Sequence, residues 1–108
     1  MEQLKITERE GANYKFYELR GGLSAYTLGD FENKLYETVV KKNVVLDMSN
    51  LVELDSSGIG LLMAAFNDSV EAGYKLYFLS MSNESLRAFT ETGFKSEFNI
   101  INSITEAL

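Results

Sequence analysis

Histidine and cysteine are both absent from this sequence of 108 residues. Their absence excludes a Ser-His-Asp triad, a Cys-His dyad, thiol redox chemistry and a disulfide framework. Zinc, haem and iron–sulfur sites lose their usual ligands as well, and the acidic residues do not have the spacing of a calcium loop. We therefore expect this chain to be no enzyme and to bind neither a metal nor a cofactor.

Long apolar runs and targeting signals are also missing. No segment approaches the ~18 apolar residues of a transmembrane helix. The N-terminus is polar and carries Glu2, Glu8 and Glu10, unlike a signal or transit peptide. We therefore expect a cytoplasmic protein that does not enter a membrane.

Basic residues are fewer than acidic ones, 10 against 16, which gives a formal charge of −6. An acidic chain is a poor partner for phosphate backbones, and its tyrosines have too few basic neighbours to form a base-stacking platform. We expect no nucleic-acid binding. A basic protein surface is a better match, although most acidic charge on most proteins only maintains solubility.

The residues that are present predict one globular domain, residues 1–108. Apolar residues make up 45% of the chain and charged residues 24%, which is enough for a core without disulfides. Short apolar or alternating runs predict five strands at residues 3–9, 14–19, 44–48, 74–79 and 98–101. A turn at 11–13 makes the first two strands an antiparallel hairpin that Gly21 and Gly22 end, and residues 49–54 are predicted to be a connector.

Helical spacing of apolar residues predicts three helices between these strands. Their buried faces carry Leu28, Phe31, Leu35 and Val39 in the first helix, Ile59, Leu62, Phe66 and Val70 in the second, and Leu86 and Phe89 in the third. A capping box from Thr27 to Asp30 begins the first helix, and Asn43 supplies its left-handed end. Gly73 ends the second helix, and Ser82 caps the third. Residues 103–108 form a last helical turn or two.

The predicted order of elements is β-β-α-β-α-β-α-β-α, which belongs to the α/β class. Strands that alternate with helices imply crossover connections. We therefore expect a mixed, mostly parallel β-sheet with an N-terminal β-hairpin and with helices packed against the sheet.

The segment Asp55-Ser56-Ser57-Gly58-Ile59-Gly60 places a carboxylate and two hydroxyls at the start of a helix. One interpretation is structural: Asp55, Ser56 or Ser57 caps the helix, and the glycines permit close packing. The other is a switch, in which a phosphate on Ser56 lies at the positive helix end and repels a partner that docks over the neutral serine. The chain has no histidine and no S-x-x-K pattern that could supply a base to Ser56. Ser56 is therefore better interpreted as the substrate of another enzyme than as a catalytic nucleophile.

Two apolar residues near this segment have open roles. Leu61 and Met63 lie off the predicted buried face of the second helix. If both are exposed, they form a hydrophobic docking patch beside Ser56. The alternative is a broader buried stripe.

The segment resembles the D-S-[ST]-G-[LIV]-G motif of STAS domains, specifically of the bacterial anti-sigma factor antagonists. Arg20-Gly21-Gly22-Leu23 resembles the G-x-L segment that closes the family's first hairpin, and Thr92-Gly93-Phe94 resembles its [ST]-G-[LF] element. Residues 44–48 resemble the strand before the motif. The resemblance implies a single STAS-like domain that takes part in signal transduction and transcription regulation by partner switching.

In that family the first serine of the motif accepts phosphate, which implies Ser56 as the acceptor, with Asp55, Ser57 and Gly58 as its neighbours. The implied partner is an anti-sigma factor that is also a serine kinase and itself binds ATP and Mg²⁺. The unphosphorylated antagonist binds this kinase and frees a sigma factor, phosphorylation releases the kinase, and a serine phosphatase resets the cycle. The implied partner-binding residues are Ser24, Ala25, Tyr26, Ile59, Gly60, Leu61 and Met63.

One residue of this surface departs from the family pattern, because Ser24 stands where the family often has Asp after G-x-L.

We expect the chain to be a monomer or a weak dimer. An unswitched STAS scaffold in a stress-sensing, transporter-associated or lipid-transport assembly is the alternative function. A small-ligand carrier is also compatible with the composition, whereas the acidic cluster and late lysine of a receiver domain cannot be placed.

Overall fold

Five strands and three α-helices alternate along residues 3–107, the part of the chain that this computed structural model describes. The strands are β1 (Leu4–Glu10), β2 (Tyr14–Leu23), β3 (Asn43–Leu54), β4 (Leu76–Leu79) and β5 (Asn99–Ile101). The α-helices are α1 (Gly29–Val39), α2 (Ser56–Ala72) and α3 (Asn83–Glu91), and two short 3-10 helices are Lys95–Glu97 and Ile104–Ala107. None of the helices within residues 3–107 has the length and apolarity that crossing a bilayer requires.

The five strands form one mixed sheet in the order β1-β2-β3-β4-β5. β1 and β2 are antiparallel, and each later strand is parallel to its neighbour, which confirms the predicted architecture. Because the strand order never reverses, right-handed crossovers place all three α-helices on one face of the sheet, where the main core lies. A smaller apolar cluster on the other face packs against the last 3-10 helix, Ile104–Ala107. Leu108, in the predicted last turn, lies outside the described residues.

Two strands are longer than predicted. β2 continues through Gly21 and Gly22 to Leu23, and β3 continues through the predicted connector 49–54. Their register shifts twice, between Glu18 and Arg20 and again at the two glycines, and each shift inserts an extra residue into β3. Pairing between two neighbouring backbones therefore overrides the local turn signals. The extension carries both strands to the edge of the sheet where the motif begins.

The buried face of α1 is the predicted one. That of α2 is predicted in part, since Leu62 is buried and Ile59 and Phe66 pack against the core. The predicted face of α2 carried its large apolar residues, yet Val70 is 58% exposed. The residues that α2 buries are Gly58, Leu61, Leu62, Ala65 and Ser69. Three of these residues are small, and at Gly58 the helix packs directly against the backbone of Leu23, a contact that a pattern of large apolar side chains does not reveal. Leu61 is only 3% exposed, so it belongs to the broader buried stripe and not to an exposed docking patch.

The signals at the ends of helices were correct in α2 and α3 but not in α1. Gly73 has a φ of 86°, the left-handed conformation that ends α2, and the Ser82 side chain accepts from the backbone N–H of Ser85 to begin α3. Thr27 does not cap α1, which has no side-chain cap. Asn43 begins β3, where its side-chain oxygen accepts from the backbone N–H of Lys75 at 2.8 Å.

Candidate functional site

The motif lies at the carboxyl edge of the sheet, beside the loop that follows β2. Leu23 and Leu54, the last residues of β2 and β3, are partners in the parallel register. The loop 24–28 and the start of α2 therefore leave the sheet side by side. This arrangement brings together the two segments that the sequence analysis assigned to one surface.

Asp55 caps α2 and also ties it to the neighbouring loop. Its Oδ1 accepts from the backbone N–H of Gly58 at 2.9 Å, and its Oδ2 accepts from the backbone N–H of Ala25 at 3.1 Å. The choice of cap among three residues is thereby settled. Ser56 and Ser57 are both exposed, and neither hydroxyl makes a hydrogen bond within residues 3–107.

The two glycines of the motif have different surroundings. A Cβ on Gly58 would lie 2.5 Å from the carbonyl oxygen of Leu23, so the first turn of α2 packs directly on the end of β2. A Cβ on Gly60 would meet no atom within 4 Å, and this residue is exposed. The close packing predicted for both glycines holds only for Gly58.

The loop after β2 buries Ser24 and exposes the two residues that follow it. Ser24 is 4% exposed, and its Oγ accepts from the backbone N–H of Tyr26 at 3.2 Å. Thr27 Oγ1 accepts from the backbone N–H of Ser24 at 2.9 Å and donates to the carbonyl of Gly22 at 2.8 Å. The loop thus uses the Ser24 hydroxyl internally, and the assignment of Ser24 to the partner surface stays a prediction. Tyr26 is 81% exposed.

A line of residues on the outside of α2, the outer stripe, leads away from Ser56. It consists of Ser56, Gly60, Met63 and Asn67, which follow one another at helical spacing and are exposed except for the partly buried Met63. Ile59, also assigned to the partner surface, is only partly exposed because it packs against the core. The outer stripe thus begins at the D-S-S-G-I-G motif.

The far end of the outer stripe adjoins an apolar cleft of about 220 Å³. Met63, Phe66, Asn67, Phe94, Glu97 and Phe98 line it. Phe94 is 50% exposed. In the sequence, Phe94 belongs to the Thr92-Gly93-Phe94 family element, but no local pattern shows that its ring faces solvent on this surface.

Residues 3–107 match the family model of the STAS domain. The chain belongs to the STAS family. The resemblance drawn from the motif is thereby confirmed, and the motif lies at the start of α2 in this STAS domain.

Curated relatives of this STAS domain are named as antagonists. The anti-sigma-B factor antagonist of Listeria monocytogenes is 27% identical over 101 residues, which cover 92% of this chain and 88% of that protein. The anti-sigma-B factor antagonist of Staphylococcus aureus is 28% identical over 92 residues, which cover 80% of this chain and 83% of that protein.

Solved structures share the fold at lower identity. A putative anti-sigma factor antagonist from Thermotoga maritima superposes with a TM-score of 0.81 at 15% identity, covering 94% of this chain and 90% of that chain. The anti-sigma factor antagonist SpoIIAA in its unphosphorylated form superposes with a TM-score of 0.78 at 16% identity, covering 95% of this chain and 92% of that chain. At these identities the likeness establishes the fold alone.

The site of this STAS domain is acidic. Glu53 and Asp55 precede Ser56, and none of the ion pairs formed within the described residues includes a residue of the site. A phosphate on Ser56 would therefore depend on the amino-terminal end of α2, where backbone N–H groups and the helix dipole favour an anion. Within residues 3–107 no His, Cys, Asp and Glu side chains are grouped so that they could hold a metal ion.

Proposed function

We propose that this STAS domain is an anti-sigma factor antagonist that binds an anti-sigma factor when unphosphorylated and releases it when Ser56 is phosphorylated. The observation that carries the proposal is the free, exposed hydroxyl of Ser56 on the first residue of α2. That hydroxyl is free because Asp55 supplies the helix cap. The names of the curated relatives support the class of partner.

The partner footprint in this proposal runs from the loop after β2 along the outer stripe. Ala25 and Tyr26 are exposed on one side of Ser56, and Gly60 and Met63 follow it on α2. Gly60 has open space around it, so a partner backbone can approach the helix closely there. The cleft beside Met63 offers an apolar end to the same footprint.

Phosphorylation acts on this footprint through charge. The anti-sigma factor is a serine kinase that binds ATP and Mg²⁺. The Ser56 oxygen attacks the γ-phosphorus, the bond to the leaving ADP breaks, and the hydroxyl proton passes to a base of the kinase. The product adds a charge of about −2 at neutral pH. A partner docked over Ser56 then has to bury an unpaired charge and dissociates, until a serine phosphatase hydrolyses the ester.

Paired baits test this switch. Ser56→Ala and Ser56→Asp are used to capture partners from the native cytosol, captured proteins are identified by mass spectrometry, and the affinity of each purified partner is measured by calorimetry. We expect an anti-sigma factor on the Ala bait and at least about tenfold weaker binding to the Asp variant, or ~1.4 kcal/mol.

A charge placed elsewhere provides the control. Asn13 is exposed in the β1–β2 turn, at the opposite edge of the sheet, so Asn13→Asp adds the same charge away from the footprint. We expect Asn13→Asp to bind like the unmodified protein. Equal affinities for the two Ser56 variants would reject the switch and favour the unswitched STAS scaffold.

A further inference from the structure

Glu53, next to the last residue of β3, carries an unsatisfied buried oxygen. Its Oε1 is shielded from solvent and has no hydrogen-bond partner, and it is the only such side-chain atom within residues 3–107. A carboxylate oxygen removed from water without a partner destabilises the free protein. Such an atom therefore needs a physical explanation beyond the fold itself.

The carboxylate of Glu53 borders an open cleft next to the acceptor serine. The cleft has a volume of about 370 Å³, and Ser24, Tyr26, Glu53, Leu54 and Asp55 line it. The other polar groups are already engaged: the Ser24 hydroxyl accepts from the N–H of Tyr26, and each carboxylate oxygen of Asp55 accepts a backbone N–H. Glu53 is thus the acidic group of this cleft with an unused acceptor.

Glu53 forms no ion pair within residues 3–107, so a cation that pairs with it would come from another molecule. The basic residues that form ion pairs within residues 3–107 are Lys15, Arg20, Lys34 and Lys42, and all of their acidic partners lie elsewhere. Glu53 as a residue is partly exposed and lines the cleft, so a rotation of its side chain brings the shielded Oε1 to a group that enters there.

The aromatic wall of the cleft favours one cation. Tyr26 presents an exposed ring beside the carboxylate. A guanidinium is planar, pairs with a carboxylate through two parallel N–H bonds and stacks on an aromatic face. An ammonium forms a less directional contact and is more strongly hydrated.

We infer that this cleft receives an arginine side chain of the protein that docks over Ser56, with its guanidinium paired to Glu53 and stacked on Tyr26. The inference rests on the proposed function for the existence of that docking protein. Glu53 then helps to select the partner. Its unpaired oxygen destabilises the free protein, and binding of the arginine gives that oxygen a hydrogen-bond donor.

A peptide titration tests the cleft without the partner. The ¹⁵N-labelled chain is titrated with N-acetyl-Gly-Arg-Gly-amide and, separately, with the same tripeptide carrying citrulline or lysine. Citrulline keeps the shape of arginine and lacks its charge. We expect saturable, millimolar shifts at the amides of Ala25, Tyr26 and Glu53 with the arginine peptide, and affinities at least about fivefold weaker with the other two.

Two isosteric variants complete the test. Glu53→Gln should lose the arginine response while its thermal midpoint is equal to or higher than that of the unmodified chain, because a buried amide costs less than a buried carboxylate. Glu71→Gln, which removes an equal charge from an exposed position at the other end of α2, should keep the response. A dispersed amide spectrum of each variant verifies the fold.

Other outcomes overturn the inference. Equal shifts with citrulline, an unchanged response in Glu53→Gln, or no localised shifts would show that the oxygen is not a cation acceptor. Equal binding of lysine would reject the assignment to arginine. None of these results depends on Ser56 phosphorylation, so failure here leaves the paired-bait result untouched, and a failed switch leaves the cleft result untouched.

Discussion

The carboxylate of Asp55 holds the start of α2 and the loop after β2 together and leaves the hydroxyl of Ser56 free. Its two oxygens accept from the backbone N–H groups of Gly58 and Ala25, so the helix start and the loop after β2 share one anchor. Because the cap is Asp55, neither following serine is needed for the helix. The hydroxyl of Ser56 is therefore available for chemistry without loss of the fold.

The two motif glycines should respond oppositely to alanine. Gly58→Ala places a methyl group 2.5 Å from the carbonyl oxygen of Leu23, a backbone atom that cannot move freely, so we expect a loss of about 1–3 kcal/mol. Gly60→Ala meets open space and gains helix propensity, so we expect a gain of roughly 0.5–1 kcal/mol. Urea unfolding of both variants measures the difference. Equal effects at the two positions would contradict this packing.

At the scale of elements, an ion-pair cluster fastens the edge strand β1 to its neighbours. Glu8 on β1 accepts from Lys34 of α1 and pairs with Lys15 of β2 at 3.2 Å. Lys34 and then Lys15 hold the pKa of Glu8 below its ordinary value. Charged side chains also protect an edge strand against pairing with another chain.

The low pKa of Glu8 predicts a pH-dependent contribution to stability. The contribution is present above the ordinary pKa of 4.5 and is lost as the pH falls through the lower folded value. We expect Glu8→Gln to lower the thermal midpoint by a few degrees at most at neutral pH, because the pair is partly exposed, and to match the unmodified protein at about pH 2.

Thermal unfolding of Glu8→Gln and Glu71→Gln across this pH range checks the prediction. Glu71 is exposed and belongs to no ion pair within residues 3–107, so its variant should not differ from the unmodified protein at either pH. High salt should reduce the Glu8 effect. A difference for Glu8→Gln that persists in acid would assign the effect to something other than its charge.

At the scale of the molecule, the core lies on one face of the sheet and the site lies at the carboxyl edge of the sheet. All three α-helices pack on one face, and the carboxyl edge of the parallel strands carries the loops and the start of α2. Ser56 lies on that edge with its side chain exposed. A charge added there changes the surface without entering the core.

Phosphorylation should therefore leave the whole fold nearly unchanged. The start of α2 favours an anion while Asp55 repels it, so the two effects oppose each other. We expect the thermal midpoint of Ser56→Asp, and of the stoichiometrically phosphorylated protein, to lie within ~4 °C of the unmodified protein. Differential scanning calorimetry measures it. A much larger decrease would mean that the switch acts by unfolding the start of α2.

Sequence patterns succeeded where the signal is local. The apolar run 44–48, the alternating hairpin and the caps at Ser82 and Gly73 each depend on residues close together in the chain, and the structure confirms them. The motif at the start of α2 was also found locally. The exposed ring of Phe94 and the unpaired oxygen of Glu53 were not found from the sequence, since each depends on how separate segments pack.

The sequence by itself determined the class of the fold, the order of its elements and the place of Ser56 at the start of a helix. Those properties follow from hydrophobic periodicity and from short motifs. Only the tertiary structure decided that β2 and β3 extend to Leu23 and Leu54, that Asp55 is the cap, and that Ser24 and Leu61 are buried. The reason is physical: pairing between strands and the close approach of α2 through Gly58 join residues far apart in the chain, and no local pattern records those contacts.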